Sequence, residues 1–411
     1  MKKQIFNVIA MLVVAFSLTM VSCTDNGNDT KTGAAALIEQ GILYGELDGT
    51  ATLDASVTYK LTGTLIVKSG AILNIPAGTR IEASEGFGSY IIVAQGGKIN
   101  INGTSEKPVV MTADDEANAN SGYWGGLILN GYAKISSASA SEGTATSKCE
   151  MNDKFVYGGN DDTDNSGTIT YLMIKYAGAR SSAEVEHNGL TLDAVGSGTT
   201  IENVYILESA DDGVECFGGT VALKNFLVVN DDDDCFDNTQ GYRGSWTNMY
   251  GIWESGYTSS ESDPRGVESD GNLDGKTPND INQTDFTITN MTIDLQLDSV
   301  NSTIDQSKFM QDIIKIRRGA KVNVSNALVK GVGSAQDLID MTDSKGFGDV
   351  NSSISLTNSL TYPILGVDVR TSGKLADGTT QTWSYPNVTA AATGNTGCAS
   401  SIFAWTGYTG F

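Results

Sequence analysis

Carboxylates dominate the stretch of this sequence that is richest in chemistry. Between Asp211 and Gly244 the chain reads DDGVECFGGTVALKNFLVVNDDDDCFDNTQGYRG. Asp211 and Asp212 with Glu215 form one acidic cluster. Asp231 to Asp234 with Asp237 form a second, and the apolar run Val221 to Val229 lies between them. The pairs Asp211-Asp212 and Asp233-Asp234 are 22 residues apart. If the chain stacks at that period, the two clusters pile onto one edge at about 4.8 Å. Stacked carboxylates need a counter-charge, and a hard cation with oxygen ligands, calcium first, is the simplest one. The expected ligands are drawn from Asp211, Asp212, Glu215, Asp233, Asp234 and Asp237. A solvated acidic edge, screened by salt, is the competing reading.

Other residues near this edge carry weaker signals. Cys216 and Cys235 are 19 residues apart. A turn three residues short would stack them as a disulfide, whereas a preserved 22-residue register leaves them out of line and unbonded. Tyr242, Arg243, Trp253 and Tyr257 follow the second cluster and are candidates for stacking on, or hydrogen bonding to, a sugar ring. Trp246 and Tyr250 read as ordinary strand packing. Asp270-Gly271-Asn272-Leu273-Asp274-Gly275 begins like a calcium loop, but Ile281 stands where a bidentate Glu belongs, so an Asx-turn loop is favoured. The single histidine, His187, reads as a loop hydrogen-bonder. Arg317 and Arg318 are expected to pair with Asp305 or Asp312 rather than to act as bases.

The elements that must hold these residues are strands. Helix signals are nearly absent, and glycine (47) far outnumbers proline (6). ITYLMI, IENVYI, LKNFLV, WTNMYG, ITNMTI, VSNALV and LTNSLT recur in order, with Tyr171, Asn203, Asn225, Asn248, Asn290, Asn326 and Asn358 at the third position. Spacings of 22 and 23 mark bare coils, and longer ones mark inserted loops. Asparagine at one point of every coil can form an amide ladder, a structural role. The fold class is all-β: a single right-handed parallel β-helix with loop insertions, spanning residues 41-411. A β-propeller needs longer periods of four antiparallel strands.

The order GTLIVKSGAILNIPAGT, SEKPVVMTA, YWGGLILNG, DDGVECFGGTV and DDDDCFDNTQGY resembles the right-handed parallel β-helix lipoproteins of the pectin-lyase-like superfamily. The resemblance runs from about Leu61 to Leu365 and implies fold and location more than chemistry, since members of this group mostly lack an assigned activity. The enzymes of the superfamily imply two tests. A pectate lyase uses bound calcium and an Arg or Lys base, for which Arg243, Arg265, Arg317 and Arg318 are the candidates, but its WiDH segment is missing. A polygalacturonase needs a GHG after its paired aspartates, and this chain has none.

The N-terminus places the chain. Lys2 and Lys3 precede an apolar run that ends in Ser22-Cys23, which reads as a lipoprotein signal over residues 1-22 with Cys23 lipidated. Residues 23-40, beginning CTDNGNDTKTG, read as a flexible polar tether. Loss of Lys2 and Lys3 takes the formal charge from −23 to −25. Such acidity argues against nucleic acid and anionic membrane surfaces as partners. The expected protein is a monomeric outer-membrane lipoprotein, in the membrane only through its lipid. It binds a carbohydrate or a surface protein without catalysis, with calcium as its cofactor. The alternatives are a calcium-dependent polysaccharide lyase or glycoside hydrolase, and a structural spacer or adhesin.

Overall fold

The computed structural model describes residues 33–136, 145–182, 185–297 and 309–411. Cys23, with the signal, lies outside the described residues, as does Asp305. The body is a right-handed parallel β-helix, its strands joined into one large parallel sheet system. Successive short strands Leu190–Asp193, Val214–Phe217, Phe236–Thr239, Arg265–Asp270, Met310–Arg317 and Ala335–Asp340 pair in parallel on one side. The longer strands Gly167–Lys175, Thr200–Leu207, Ala222–Val229, Ser245–Trp253, Asp285–Leu295 and Lys321–Gly331 pair in parallel elsewhere on the coil.

Each long strand is bent once. Tyr171, Asn203, Asn225, Asn248, Asn290 and Asn326 all have φ between 49° and 62°, a left-handed conformation that asparagine tolerates better than most residues. The bend splits the strand into two arms on two faces. In Gly167–Lys175 the first arm pairs with Lys98–Asn102 and the second with Val109–Ala113. The expected amide ladder runs through this bend. Asn225 donates to Asn203 at 2.8 Å, Asn248 to Asn225 at 2.7 Å, Asn290 to Asn248 at 2.9 Å and Asn326 to Asn290 at 2.8 Å. Asn358 is not a rung. The pairing slips between Val324 and Ala327, and the Asn358 side chain instead accepts from its own Leu360 N–H at 3.0 Å.

Apolar side chains from all faces fill one narrow core, including Ile201, Val204, Ile206, Leu223, Phe226, Val228, Trp246 and Met249. Trp246 and Tyr250 pack as expected, both buried. A short helix, Ala34–Ile38, falls inside the range assigned to the tether. It buries Ala34 and Ile38, so the folded chain begins before residue 41.

The expected Cys216–Cys235 disulfide is corrected. Val214 pairs with Phe236 and Cys216 with Asn238, so the 22-residue register holds and Cys235 sits three positions away. Both thiols are free and buried, as are those of Cys149 and Cys398. Alkylation of denatured, unreduced protein is expected to label all four. Recovery of a linked Cys216–Cys235 peptide would contradict the register.

The ladder makes a second expectation. Asn248→Ala loses two amide bonds at about 1 kcal/mol each and meets a left-handed backbone that costs a further 1–2 kcal/mol or so. Asn248→Gly loses only the bonds. In urea unfolding the alanine variant is expected to be the less stable of the two by roughly the backbone cost.

Candidate functional site

The stacking register brings the predicted carboxylates together and adds others. Glu215 pairs with Asp237, Asp237 with Glu268, Glu268 with Lys315, Lys315 with Asp340 and Asp340 with Arg370. One position of the short strands therefore carries three acids in succession, then alternates base, acid and base. Gly213 precedes this row, and a Cβ there would lie 2.7 Å from the Cys235 carbonyl oxygen of the next coil. That close approach explains the glycine in the DDGVE turn.

The four consecutive aspartates take four different environments. Asp231 is fully buried. Asp232 turns to the loops, accepting from Arg180 at 3.1 Å and from the Ser260 N–H at 2.7 Å. Asp233 joins Asp211 and Asp212, with carboxylate oxygens within 4.8 Å of one another. Asp234 joins Asp237 and Glu268 within the same distance, and Asp212 bridges to Glu215 and Asp237. The backbone N–H of Asp234 donates to Asp212 at 2.9 Å, tying the two coils.

Counter-charge is supplied unevenly. Arg265, buried, faces Glu268 at 2.7 Å, Asp312 at 3.6 Å and Asp234 at 3.8 Å. Arg317 pairs with Glu268 and Asp270, and Arg318 with Asp270 and Asp343. Lys315 holds Asp340 at 2.5 Å, and Arg370 holds Asp337 at 2.5 Å. Asp312, Asp337 and Asp340 form a further close trio, but these cations already neutralise it. Among the described residues no such pair reaches Asp212, Glu215 or Asp237. Glu215 accepts from Asn188 Nδ2 at 2.7 Å, and Asp237 accepts from the Asn238 N–H.

Burial without a cation shows in the acidities. Glu215 is held well above the ordinary range by burial, then by Asp237. Asp212 is raised by burial and then by Asp211, and Asp237 by burial and then by Glu268. Burial pushes Asp233 up to about 7 although Arg265 opposes it, and Asp231 to about 8.

Oxygen-only donors suit calcium. The trio Asp211, Asp212 and Asp233 offers such a set: among the described residues none of the three forms an ion pair, and Asp233 Oδ1 is a buried oxygen without a hydrogen-bond partner. Asp270 does not fit a calcium loop, since its carboxylate is engaged by Arg317 and Arg318, while Asn272 Oδ1 accepts from the Thr277 N–H at 2.8 Å. The Asn272 contact spans five residues, and the Asx turn of this insert comes later, where the Asn282 N–H donates to Asp280 Oδ1 at 2.7 Å.

Above Glu215, Asp237 and Glu268 lies a cleft of about 470 Å³. The antiparallel pair Ser147–Lys148 and Val156–Tyr157 and the turn Leu273–Gly275 border it. Six acidic side chains line it against Lys148, Arg317 and Arg318, a formal charge of −3.

The aromatic platform expected beside this site is corrected. Tyr242 is fully buried, donates its hydroxyl to the Val221 carbonyl at 2.8 Å and packs edge-on against Phe286. Trp253 is fully buried against Tyr257, and the Tyr257 hydroxyl donates to the Asp231 carbonyl at 2.7 Å. Arg243 pairs with Asp162 at 3.2 Å and donates to the Lys134 carbonyl. None of the four lines the cleft. Strand periodicity turns Trp253 inward, and Tyr242 is drawn in from the turn between Phe236–Thr239 and Ser245–Trp253, directions that aromatic density alone does not reveal. The residues not anticipated as part of the site are Glu268 and Asp270. The repeat hides them because a loop insertion moves Glu268 to 31 residues after Asp237. His187 is buried between Phe87 and Tyr90, with Nε2 3.1 Å from the Phe87 carbonyl oxygen. Burial lowers it to about 4, and it lies off the cleft lining.

These shifts fix a pH dependence. Asp193, Asp231, Asp233 and Asp312 are raised from 3.8 to between about 7 and about 8. The folded state therefore binds more protons than the unfolded state across that interval. The stability these groups contribute is full below 3.8 and is lost as pH rises through 7 to 8. His187 opposes this between about 4 and 6.5, but it is one group against four. In excess chelator the melting temperature is expected to fall as pH rises from about 5 to about 8; a rise over that window would contradict the burial of these carboxyls.

Comparison with known proteins agrees with the architecture. No curated protein and no solved structure matches the chain. A family model, the pectate-lyase-like beta helix domain, matches residues 45–409. With the parallel coils and their stacked register, that match places the chain: it belongs to the pectate-lyase-like beta helix domain family.

Proposed function

We propose that this chain is a non-catalytic carbohydrate-binding β-helix, anchored in the outer membrane through lipid on Cys23, displayed at the surface and stabilised by calcium. The observation that carries the reading is the cleft over Glu215, Asp237 and Glu268. Carboxylates there can accept hydrogen bonds from vicinal hydroxyls, and the volume lies within the roughly 300–1,000 Å³ of small-molecule sites. Arg317 and Arg318 support a binding role rather than a lyase one. Each is held between carboxylates, and pairing with Glu268 and Asp270 drives the acidity of Arg317 further from that of a base. Calcium at Asp211, Asp212 and Asp233 would offset repulsion worth about 1 kcal/mol per uncompensated pair even in water.

A second reading, glycoside hydrolysis, is favoured by one feature. Glu215 and Asp237 are adjacent carboxyls, and burial keeps both above the ordinary range, as a general acid requires. A glycan array run together with a product assay separates the two: retention without new reducing or unsaturated ends supports binding, whereas released oligosaccharide replaces it with hydrolysis or elimination.

The calcium component has its own test. The melting temperature is expected to rise by several degrees between excess chelator and millimolar calcium, because the ion binds the folded edge and hardly the unfolded chain. Asp233→Asn with Asp234→Asn is expected to abolish the rise. A wild type indifferent to calcium would leave the edge as a solvated run of charge.

A further inference from the structure

The cleft is unevenly charged, and that unevenness names a ligand class. On one wall Glu268 holds Arg265 and Arg317, and Asp270 holds Arg317 and Arg318. On the other wall, among the described residues, neither Glu215 nor Asp237 forms an ion pair. Asp234, only 3 % exposed, faces Arg265 at 3.8 Å through Oδ2, while its Oδ1 has no hydrogen-bond partner. A carboxylate oxygen of Asp234 lies within 4.8 Å of those of Asp237 and Glu268, so this buried side chain belongs to the same cluster.

Three ligand classes meet this arrangement differently. A uronate would bring another negative charge to a surface of formal charge −3. A divalent ion between Asp237 and Glu268 would face the Arg265 and Arg317 guanidiniums, and about 470 Å³ is far more room than an ion needs. An ammonium group on an organic ligand brings one positive charge and three donors, to be shared by the oxygens of Glu215 and Asp237, which line the cleft. The remaining volume suits a sugar ring, with Phe217 and Leu273 as its apolar boundary.

We propose that the cleft binds an amino sugar with a free amine, its ammonium seated between Glu215 and Asp237. This rests on the reading of the cleft as a carbohydrate site.

The test is isothermal titration calorimetry of the full mature chain with a glucosamine oligomer and with its N-acetylated counterpart of equal length. The free amine is expected to bind at least tenfold tighter. Glu215→Gln and Asp237→Asn are each expected to weaken it at least tenfold, with melting temperatures in chelator equal to or above wild type, which separates lost binding from lost folding. Equal affinity for the two oligomers, or tighter binding of the acetylated one, overturns the amine and leaves carbohydrate binding standing. Failure of both oligomers, together with a blank glycan array, overturns both readings. The titration is repeated in millimolar calcium. Amine binding is expected to weaken but to persist, because Asp212 of the calcium site has a carboxylate oxygen within 4.8 Å of those of Glu215 and Asp237. Loss of amine binding in calcium would make the cleft a metal site and overturn the proposal.

Discussion

Each coil of this protein sits directly on the last, at a spacing of about 4.8 Å and in a register that places like positions over like. Everything distinctive about the molecule follows from whether a residue gains or loses by touching its own kind. Apolar side chains gain, and they build the continuous core. Asparagine gains as well. Its amide is both donor and acceptor, so each rung from Asn203 to Asn326 satisfies the next, and its tolerance of the left-handed region turns the corner between two faces. Carboxylates lose, because they only accept and they carry charge.

The two halves of the acidic side of the coil solve that problem differently. Toward the C-terminus the row interleaves Lys315 and Arg370 with Glu268 and Asp340, and Arg265, Arg317 and Arg318 reach in from adjacent positions. Those coils carry their own counter-ions and need nothing from solution. From Asp211 to Asp237 no such interleaving occurs, and burial holds the carboxyls of Asp212, Glu215 and Asp237 above the ordinary range. Sites that store uncompensated charge in a buried setting are costly to the fold, and such cost is commonly kept where a ligand is to be bound. The cleft opens over the transition between the two regimes, with Glu215 and Asp237 on the unpaired side and Glu268 and Asp270 on the paired side.

The same register removes two other chemistries. A disulfide between Cys216 and Cys235 would need a shorter coil than the one formed, since Cys216 stands opposite Asn238. A sugar-stacking platform would need aromatics on the outer face, yet Tyr242 and Trp253 fill the core. What borders the cleft instead is the Ser147–Tyr157 hairpin and the turn at Leu273, which leave a pocket walled mainly by charge.

The sequence alone determined the parallel β-helix, the asparagine ladder from Asn203 to Asn326 and the convergence of Asp211, Asp212, Glu215, Asp233, Asp234 and Asp237 in adjacent coils. All three follow from a motif that recurs, 22 to 23 residues apart in the bare coils and further apart where loops are inserted, and a repeat in a solenoid is a direct statement of which positions touch. The tertiary structure decided what the repeat does not encode. Loop insertions between coils hide the fact that Glu268, Lys315 and Asp340 continue the Glu215–Asp237 row. The slip between Val324 and Ala327, which removes Asn358 from the ladder, leaves no mark in the motif LTNSLT. The inward turn of Trp253 depends on where its strand begins, a shift of one residue that reverses every side chain, and that of Tyr242 on the path of the turn between two strands. Periodicity fixes neighbours along the axis, whereas insertions, slips and strand starts are settled only when the coils close around a common core.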